Sequence, residues 1–321
     1  MGGAETARPL TPVLLGPTAV GKTAVATALS RLVPLSVVSA DARQVYRRLD
    51  IGSAKPEPAL RAEVPHYGLD LIDPGERYSA GRFARDASAW LAEIRAAGRL
   101  PLVVGGTGFY VRALAEGLFR EPPLDPVRRE RLSTWAAGLP DATLARFAVR
   151  LDPRFRGGGR QRGSRALEVA FLTGRPLSWW QREAREFGVM RPWYIVLTLP
   201  REVLRRRIAD RVDRMLAAGW VDEVQRELAR GTAPSAAGLD GIGYREVVAM
   251  LQGRLEPTAM REAIITATRR YAKRQDTWLR HQLLGAPVWS LDASASPEQM
   301  AGQILERWRT TSHFALRASH S

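Results

Sequence analysis

Eight consecutive residues match the phosphate-loop pattern G-x-x-x-x-G-K-[ST] without a mismatch, and they read Gly16, Pro17, Thr18, Ala19, Val20, Gly21, Lys22 and Thr23. An apolar run over residues 12–17 leads into this loop, and helical periodicity over residues 22–33 follows it, which is the context that confirms such a match. The glycines let backbone N–H groups surround phosphate oxygens, Lys22 contacts a phosphate, and Thr23 is predicted to bind Mg²⁺. The motif predicts phosphate binding, but it does not by itself imply ATP.

Outward from the loop, strands alternate with helices. The patterns predict strands at residues 12–17, 35–40, 67–73, 100–105 and 193–199, and helices at 22–33, 79–97, 107–116, 202–218, 221–229, 244–252 and 258–281. This alternation predicts an α/β fold, a P-loop parallel sheet flanked by helices. The pattern changes over residues 121–190, where several prolines are followed by Arg-rich stretches with helical periodicity. These features predict an inserted helical subdomain. The catalytic core would then comprise residues 11–120 and 191–310, and we expect the last dozen residues to form a loose tail.

Composition excludes several kinds of protein. The 321 residues include no cysteine, which removes disulfides, thiolate catalysis and cysteine-bound zinc, and the four histidines lie too far apart for a metal site. No apolar run approaches the roughly 18 residues that span a bilayer, and the N-terminus lacks signal-peptide features, so we expect a cytoplasmic protein without membrane contact. The net charge of +15 fits either an Arg-rich solvated surface or a polyanionic partner.

One carboxylate stands where chemistry is expected. Asp41 follows the predicted strand at residues 35–40, and the carboxyl ends of parallel strands face the ligand crevice. It is a candidate proton acceptor, although a turn or helix-capping role is the alternative. A kinase or NTPase would place a Mg²⁺-binding Asp after another core strand. The strand at residues 100–105 ends without a carboxylate and Asp73 is a candidate substitute, so the kinase or NTPase alternative is weakened but open.

Basic residues concentrate on two predicted helices. On residues 202–218, Arg211 lies close to the apolar stripe that contains Leu204, which indicates an inward-leaning cation that needs an anion, whereas Arg207 and Arg214 read as solvated. On residues 258–281 one side is cationic and the opposite side apolar, which predicts contact with an RNA backbone. The cationic side comprises Arg269, Arg270, Lys273, Arg274 and Arg280.

Six motifs occur in a family-specific order: GPTAVGKT, SADARQVYRRLDIGSAKP, PLVVGGTGFYVRAL, QRGSRALEVAFLTGRPLS, GIGYREV and RRYAKRQDTWLR. Together they resemble the tRNA dimethylallyltransferases, the bacterial isopentenyltransferase family, over residues 13–280. The resemblance implies Mg²⁺-dependent transfer of a dimethylallyl group from dimethylallyl diphosphate to N6 of the adenosine next to the anticodon (position 37), in tRNAs that read codons beginning with U. Ala42 departs from the family's usual Ser, and Arg160 from its frequent Asp.

The resemblance also implies residue roles. Asp41 would take the amine proton, while Thr107 and Arg211 would act around the diphosphate and the transferring group. The implied contacts to the tRNA anticodon stem-loop are Asp41, Ala42, Arg43, Gln44, Gln161, Arg162, Gly163, Ser164, Arg165, Gly241, Ile242, Gly243, Tyr244, Arg245, Glu246, Lys273, Arg274, Gln275, Asp276, Thr277, Trp278, Leu279 and Arg280. We expect a monomer. The alternatives are a nucleic-acid-binding module that uses a nucleotide as a switch, and an enzyme that prenylates free AMP or ADP.

Overall fold

The computed structural model describes residues 8–119, 124–184, 186–283 and 287–318. The chain divides into two compact units. The first unit combines Met1–Ala115 with Val189–Ser321, and the second is Glu116–Gly188. The sequence prediction placed the insertion at residues 121–190, and residue 121 lies outside the described residues. None of the described helices is both long enough and apolar enough to span a membrane.

The first unit contains a parallel sheet. Its six described strands are β1 (Leu10–Leu15), β2 (Leu35–Ala40), β3 (His66–Tyr67), β4 (Leu100–Gly105), β5 (Arg191–Thr198) and β6 (Val288–Asp292). They lie in the order β3-β2-β4-β1-β5-β6, and every pairing is parallel. β2 and β4 begin and end at the predicted residues. The predicted α/β fold with a P-loop parallel sheet is confirmed.

Helices flank this sheet. Those of the first unit are α1 (Lys22–Ser30), α2 (Pro58–Glu63), α3 (Ala80–Ala96), α4 (Gly108–Glu116), α9 (Arg201–Ala217), α10 (Trp220–Ala229), α11 (Tyr244–Leu251), α12 (Pro257–Gln282) and α13 (Pro297–Ala318), where the numbers α5 to α8 belong to the second unit. One apolar core packs α1 and α13 on the strands through residues such as Leu29, Ile195 and Ile304. A second core joins α10, α11 and α12 to the chain after β2, through residues such as Leu49 and Tyr244.

Two sequence predictions are wrong in detail. The strand expected at residues 67–73 is limited to β3, because Gly68 and Asp70 adopt positive φ angles of 85° and 55° that interrupt the extended chain. Beyond it, Ile72 makes only an isolated bridge to Tyr46. The prediction that the last dozen residues form a loose tail is also wrong as far as residue 318, because α13 continues to Ala318; residues 319–321 lie outside the described chain.

The second unit is helical. It contains α5 (Pro126–Ala137), α6 (Asp141–Leu151), α7 (Gly159–Thr173) and α8 (Leu177–Glu183), which enclose a small core. Arg160, one of the departures from the family pattern, has a structural role here. Its guanidinium donates to Asp141 at 2.8 Å and to the carbonyl oxygens of Ala136 and Ala137 at the end of α5.

Candidate active site

The carboxyl ends of β1, β2 and β4 open into one cavity of about 550 Å³. Its lining residues come from the phosphate loop, from the chain after β2 and β4, and from α9 and α12: Thr18, Ala19, Gly21, Lys22, Thr23, Ala24, Asp41, Gln44, Ser53, Ala54, Gly106, Arg207, Arg211, Arg214, Tyr271 and Gln275. These described lining residues include four basic side chains and a single carboxylate. The cavity is therefore built for a multiply charged anion.

Lys22 is the half-buried cation of the phosphate loop. Its Nζ donates hydrogen bonds to the carbonyl oxygens of Gly16 and Pro17, both at 2.9 Å, so the loop closes around the ammonium group. Burial, with an added contribution from the charge of nearby Arg211, lowers the pKa of Lys22 to about 8, while the charge of Asp41 acts in the opposite direction. An anion in the cavity would restore the full charge of this lysine, which favours phosphate binding.

Three arginines extend from α9 into the same cavity. Burial lowers the pKa of Arg211 and the charge of Arg214 adds to this effect, while Asp41 partly offsets it. Arg207 donates to the carbonyl oxygen of Val20 in the loop at 3.3 Å and to that of Ala293 at 3.5 Å. The expectation that Arg211 turns inward is met by this placement. The expectation that Arg207 and Arg214 are merely solvated is wrong, because both line the cavity.

Asp41 lies at the end of β2 and is held in a fixed orientation. Its Oδ1 accepts a hydrogen bond from the backbone N–H of Arg43 at 2.8 Å, and the hydroxyl of Thr107 accepts one from the N–H of Ala42 at 3.1 Å. Burial raises the pKa of Tyr271 to about 12, and the charge of Asp41 adds to the rise. Tyr271 therefore stays protonated, and Asp41 is the lining group suited to accept a proton.

Helix α12 packs its inner face on the turn after β4. Gln275 is only 8% exposed, and its amide donates to the carbonyl oxygen of Gly106 at 3.0 Å. Trp278 lies against Gly108, where a Cβ would stand 2.3 Å from the indole ring, so the glycine is required by this close approach. Gln275 and Trp278 were predicted to contact tRNA; both side chains pack on the chain after β4, Gln275 also lines the cavity, and Trp278 is half-buried.

The outer face of α12 is cationic as predicted. The exposed residues of this face are Arg269, Arg270, Lys273, Arg274, Thr277 and Arg280. Asp276 pairs with Arg280 on the same helix, and the Arg274 guanidinium lies 5.6 Å from the Tyr271 ring centre. Leu279 is half-buried. The five basic residues form a surface that we call the basic face.

The segment from Gly241 to Glu246 is largely internal. Tyr244 is 1% exposed and Gly243 is buried, with its N–H donating to Glu246 at 2.6 Å. Ile242 is half-buried, and Arg245 is exposed. A tRNA contact through the side chain of Tyr244 is excluded by this burial, which corrects that prediction.

The remaining predicted tRNA contacts lie in both units. In the first, Arg43 pairs with Asp240 at 2.6 Å, and Gln44 donates to the carbonyl oxygen of Ala54 at 3.1 Å while lining the cavity. In the second, the predicted residues 161–165 lie in the first turns of α7. Gln161 and Arg162 are exposed, and Ser164 and Arg165 are half-buried. Gly163 is buried, and a Cβ built on it would stand 3.2 Å from the side chain of Leu144. Gly163 thus serves helix packing.

Asp73, the possible metal-binding carboxylate of an NTPase, does not line the cavity. It pairs instead with Arg48 at 2.9 Å and with Arg47 at 3.8 Å. Among the described residues, no three His, Cys, Asp or Glu side chains are grouped to hold a metal. Among the described residues that line the cavity, Asp41 is therefore the one carboxylate, and the kinase or NTPase alternative has no second one there.

Sequence reasoning missed several lining residues. Arg207 and Arg214 were missed, although they are spaced by four and three positions from the predicted Arg211, which places all three within about 60° on one helical face, so the spacing itself was an available signal. Tyr271 falls on the apolar side of its predicted helix, and its place in the cavity was not predicted. Ser53 and Ala54 carry no chemical signal in the sequence, because they reach the cavity through a loop whose path only the fold determines.

Comparison with known proteins gives the family. A family model described as IPP transferase matches residues 44–282, and one described as isopentenyl transferase matches residues 11–64. The chain belongs to the IPP transferase family. Among curated relatives, a tRNA dimethylallyltransferase of Stenotrophomonas maltophilia is 44% identical over 92% of this chain and 96% of its own, and one of Halorhodospira halophila is 46% identical over 85% and 91%.

Solved structures of the IPP transferase family share this fold. A full-length tRNA isopentenylpyrophosphate transferase from Bacillus halodurans superposes with a TM-score of 0.71 at 31% identity, covering 98% of this chain and all of that one. A eukaryotic dimethylallyltransferase acting on tRNA superposes with a TM-score of 0.74 at 26% identity, covering 89% of this chain and 74% of that one.

Proposed function

We propose that this protein transfers the dimethylallyl group of dimethylallyl diphosphate to N6 of the adenosine next to the anticodon of tRNA. The observation that carries the proposal is the single cavity in which the phosphate loop and three arginines share space with Asp41. A diphosphate fits the cationic walls, and an amine nucleophile fits beside the carboxylate. Membership of the IPP transferase family and the similarity to named tRNA dimethylallyltransferases support the same reaction.

The reaction needs one bond to form and one to break. The N6 nitrogen attacks C1 of the dimethylallyl group, a C–N bond forms, and the C1–O bond breaks with its electron pair on the leaving diphosphate. Lys22, the loop N–H groups and Arg211 stabilise the charge that develops on the diphosphate. Asp41 accepts the proton that N6 loses. Thr107 orients the chain beside Asp41 through its contact with Ala42.

Mg²⁺ is proposed as the cofactor. Thr23 lines the cavity near the start of α1, and its hydroxyl would be one ligand. The described residues hold no group of three metal-binding side chains, so the diphosphate and water would supply most of the other oxygens, as Mg²⁺ commonly prefers. When bound, Mg²⁺ neutralises charge on the diphosphate.

The residues proposed to contact tRNA are, in the first unit, the basic face of α12 and Arg245, and, in the second unit taken by itself, the exposed residues Gln161 and Arg162. Arginine and lysine on such a surface neutralise RNA phosphates. The target base must leave its stack to reach the cavity, as enzymes acting on bases require. We further propose that the protein acts as a cytoplasmic monomer.

Radiolabel transfer tests the function. The enzyme is incubated with Mg²⁺, tRNA and dimethylallyl diphosphate labelled in the prenyl group, and label in the tRNA is counted. Parallel reactions replace tRNA by AMP or by ADP. A separate reaction measures phosphate release from ATP. Label in tRNA is expected. Label only in free nucleotide, or phosphate release from ATP without prenyl transfer, would support the alternatives instead.

A further inference from the structure

A buried carboxylate of α10 is hydrogen-bonded to a loop that forms part of the cavity wall. Glu223 is 4% exposed and accepts four hydrogen bonds. Its Oε2 accepts from the backbone N–H groups of Asp50 and Ile51, both at 2.7 Å. Its Oε1 accepts from the N–H of Gly52 at 3.2 Å and from the hydroxyl of Tyr244 at 2.8 Å. One side chain thus organises residues 50–54, which we call the 50–54 loop.

This anchor is specific for an ionised carboxylate. A carboxylate offers about four acceptor positions, all of which are used here, and hydrogen bonds to a charged acceptor are stronger than neutral ones. Burial and the proximity of Glu223 raise the pKa of Tyr244 well above its usual value, so the tyrosine remains a donor. Gln at residue 223 would replace one acceptor oxygen by a donor NH₂ group, which the N–H groups of the loop repel.

The packing around the anchor leaves the loop little freedom. Trp220 and Tyr244 lie directly against Gly52, where a Cβ would stand 1.9 Å from the indole Nε1 and 2.5 Å from the tyrosine ring. The ammonium group of Lys55 is buried at the end of the loop, bonded to the carbonyl oxygen of Tyr46 at 2.5 Å and to Asp70 at 2.6 Å.

The loop in turn contacts the reaction site. Ser53 and Ala54 line the cavity, and their carbonyl oxygens accept from Nε2 of Gln44 at 3.4 and 3.1 Å. The opposite side of that amide, Oε1, accepts from the hydroxyl of Ser39 at 2.7 Å. Gln44 follows Asp41 in the same turn and lines the same cavity. Movement of the loop therefore reaches the side of the cavity that carries Asp41.

We infer that Glu223 is a positioning residue that sets the acceptor side of the cavity through the 50–54 loop. The inference rests on the proposed function, because it assigns the Asp41 side of the cavity to the adenosine. The phosphate loop lies on other elements, so the donor side does not depend on this anchor. Loss of the anchor affects the use of tRNA and spares the binding of dimethylallyl diphosphate.

The test compares Glu223→Gln with Glu227→Gln. Glu227 lies one turn further along α10 and is equally buried, but it is held by Arg48, Arg230 and Thr232. We expect Glu223→Gln to lower kcat/KM for tRNA by about tenfold to a hundredfold, the scale of a small misplacement in an active site. The Kd for dimethylallyl diphosphate should stay within about twofold of wild type in both variants.

Two further measurements separate the possible failures. Hydrogen exchange at the amides of residues 50–52 should accelerate in Glu223→Gln and stay slow in Glu227→Gln, whether or not the enzyme transfers a prenyl group. Tyr244→Phe removes one donor and keeps the carboxylate, so it should show a smaller loss in the same direction if Glu223→Gln does not fold. Equal losses of kcat/KM in the two Gln variants, or unchanged exchange at residues 50–52, would overturn the inference. No prenyl transfer by wild type would overturn the proposed function alone.

Discussion

The side chain of Gln275 fastens the long helix α12 to the phosphate loop, since its Oε1 accepts a hydrogen bond from the backbone N–H of Thr18 at 2.9 Å. The same amide donates to the carbonyl oxygen of Gly106. The helix that carries the basic face is thereby joined to the loop that holds the diphosphate. Within the first unit, hydrogen bonds therefore connect α12, proposed to bind tRNA, to the phosphate loop, proposed to bind dimethylallyl diphosphate.

Replacing Gln275 by Leu should disturb the phosphate loop. The half-buried Thr18 N–H and Gly106 carbonyl oxygen would lose their partner, and the loss of these two hydrogen bonds costs about 1–3 kcal/mol of stability. We expect a lower Tm and a higher Kd for dimethylallyl diphosphate by calorimetry. Gln282→Leu, at the exposed end of the same helix, is the matched control and should change neither. Unchanged diphosphate binding in Gln275→Leu would show that this bond does not shape the loop.

Asp41→Asn should abolish most of the chemistry while sparing substrate binding. An amide cannot accept the N6 proton, and loss of a general base typically lowers rates by about a hundredfold or more. Single-turnover rates with saturating tRNA and dimethylallyl diphosphate provide the measurement. Asp73→Asn, a carboxylate outside the cavity, serves as the control and should react at the wild-type rate. A near-normal rate in Asp41→Asn would remove this residue from the mechanism.

Lys22→Ala and Lys273→Ala should have reciprocal effects. Lys22 is half-buried and hydrogen-bonded to the phosphate loop, so its loss should weaken dimethylallyl diphosphate binding more than tRNA binding. Lys273 is exposed on the basic face, so its loss should weaken tRNA binding only. The Kd for dimethylallyl diphosphate and the Kd for tRNA are measured for each variant under the same salt conditions. If Lys22→Ala weakened both ligands equally, the assignment of this site would have to be revised.

The basic face should determine the salt dependence of tRNA binding. Replacing Arg270, Lys273 and Arg274 by Gln should flatten the dependence of log K on log salt by about 0.7–0.9 for each lost phosphate contact. The Tm should stay close to wild type, because all three side chains are exposed. Binding is measured across a salt series.

The control variant for that salt series removes three positive charges from elements other than α12. Arg31, Arg226 and Arg254 are exposed residues of other elements, so their replacement by Gln should leave the slope closer to wild type. Parallel slopes for wild type and the basic-face variant would make this helix an ordinary solvated surface. The RNA-contacting role would then move to residues 161–165.

The sequence predicted those features that rest on local pattern. The phosphate loop follows from its glycines and Lys22, and the exposed basic face of α12 follows from helical spacing. The inward position of Arg211 follows from the apolar stripe beside it. In each case the sequence pattern spans only a few helical turns or one loop, and the structure has the feature that the pattern predicted.

Other features depend on contacts between distant segments. The strand expected over residues 67–73 ends at Tyr67 because Gly68 and Asp70 adopt positive φ angles, and Asp70 binds Lys55, a contact that no local pattern reveals. The family motif suggested that Tyr244 meets tRNA, whereas its hydroxyl is used internally by Glu223. Likewise β6 is short and exposed, with too little apolar pattern to be recognised before its pairing with β5 is known.

Mass spectrometry of the nucleosides of treated tRNA tests the central claim most directly. Unmodified tRNA is incubated with the protein, Mg²⁺ and dimethylallyl diphosphate, digested to nucleosides, and compared with a reaction containing Asp41→Asn. Our account predicts that wild type converts one adenosine, next to the anticodon, to its N6-dimethylallyl derivative, while the variant leaves it almost unmodified. Adenosine that stays unmodified after incubation with the wild-type protein, or a prenyl group found on a different atom or nucleotide, would contradict it.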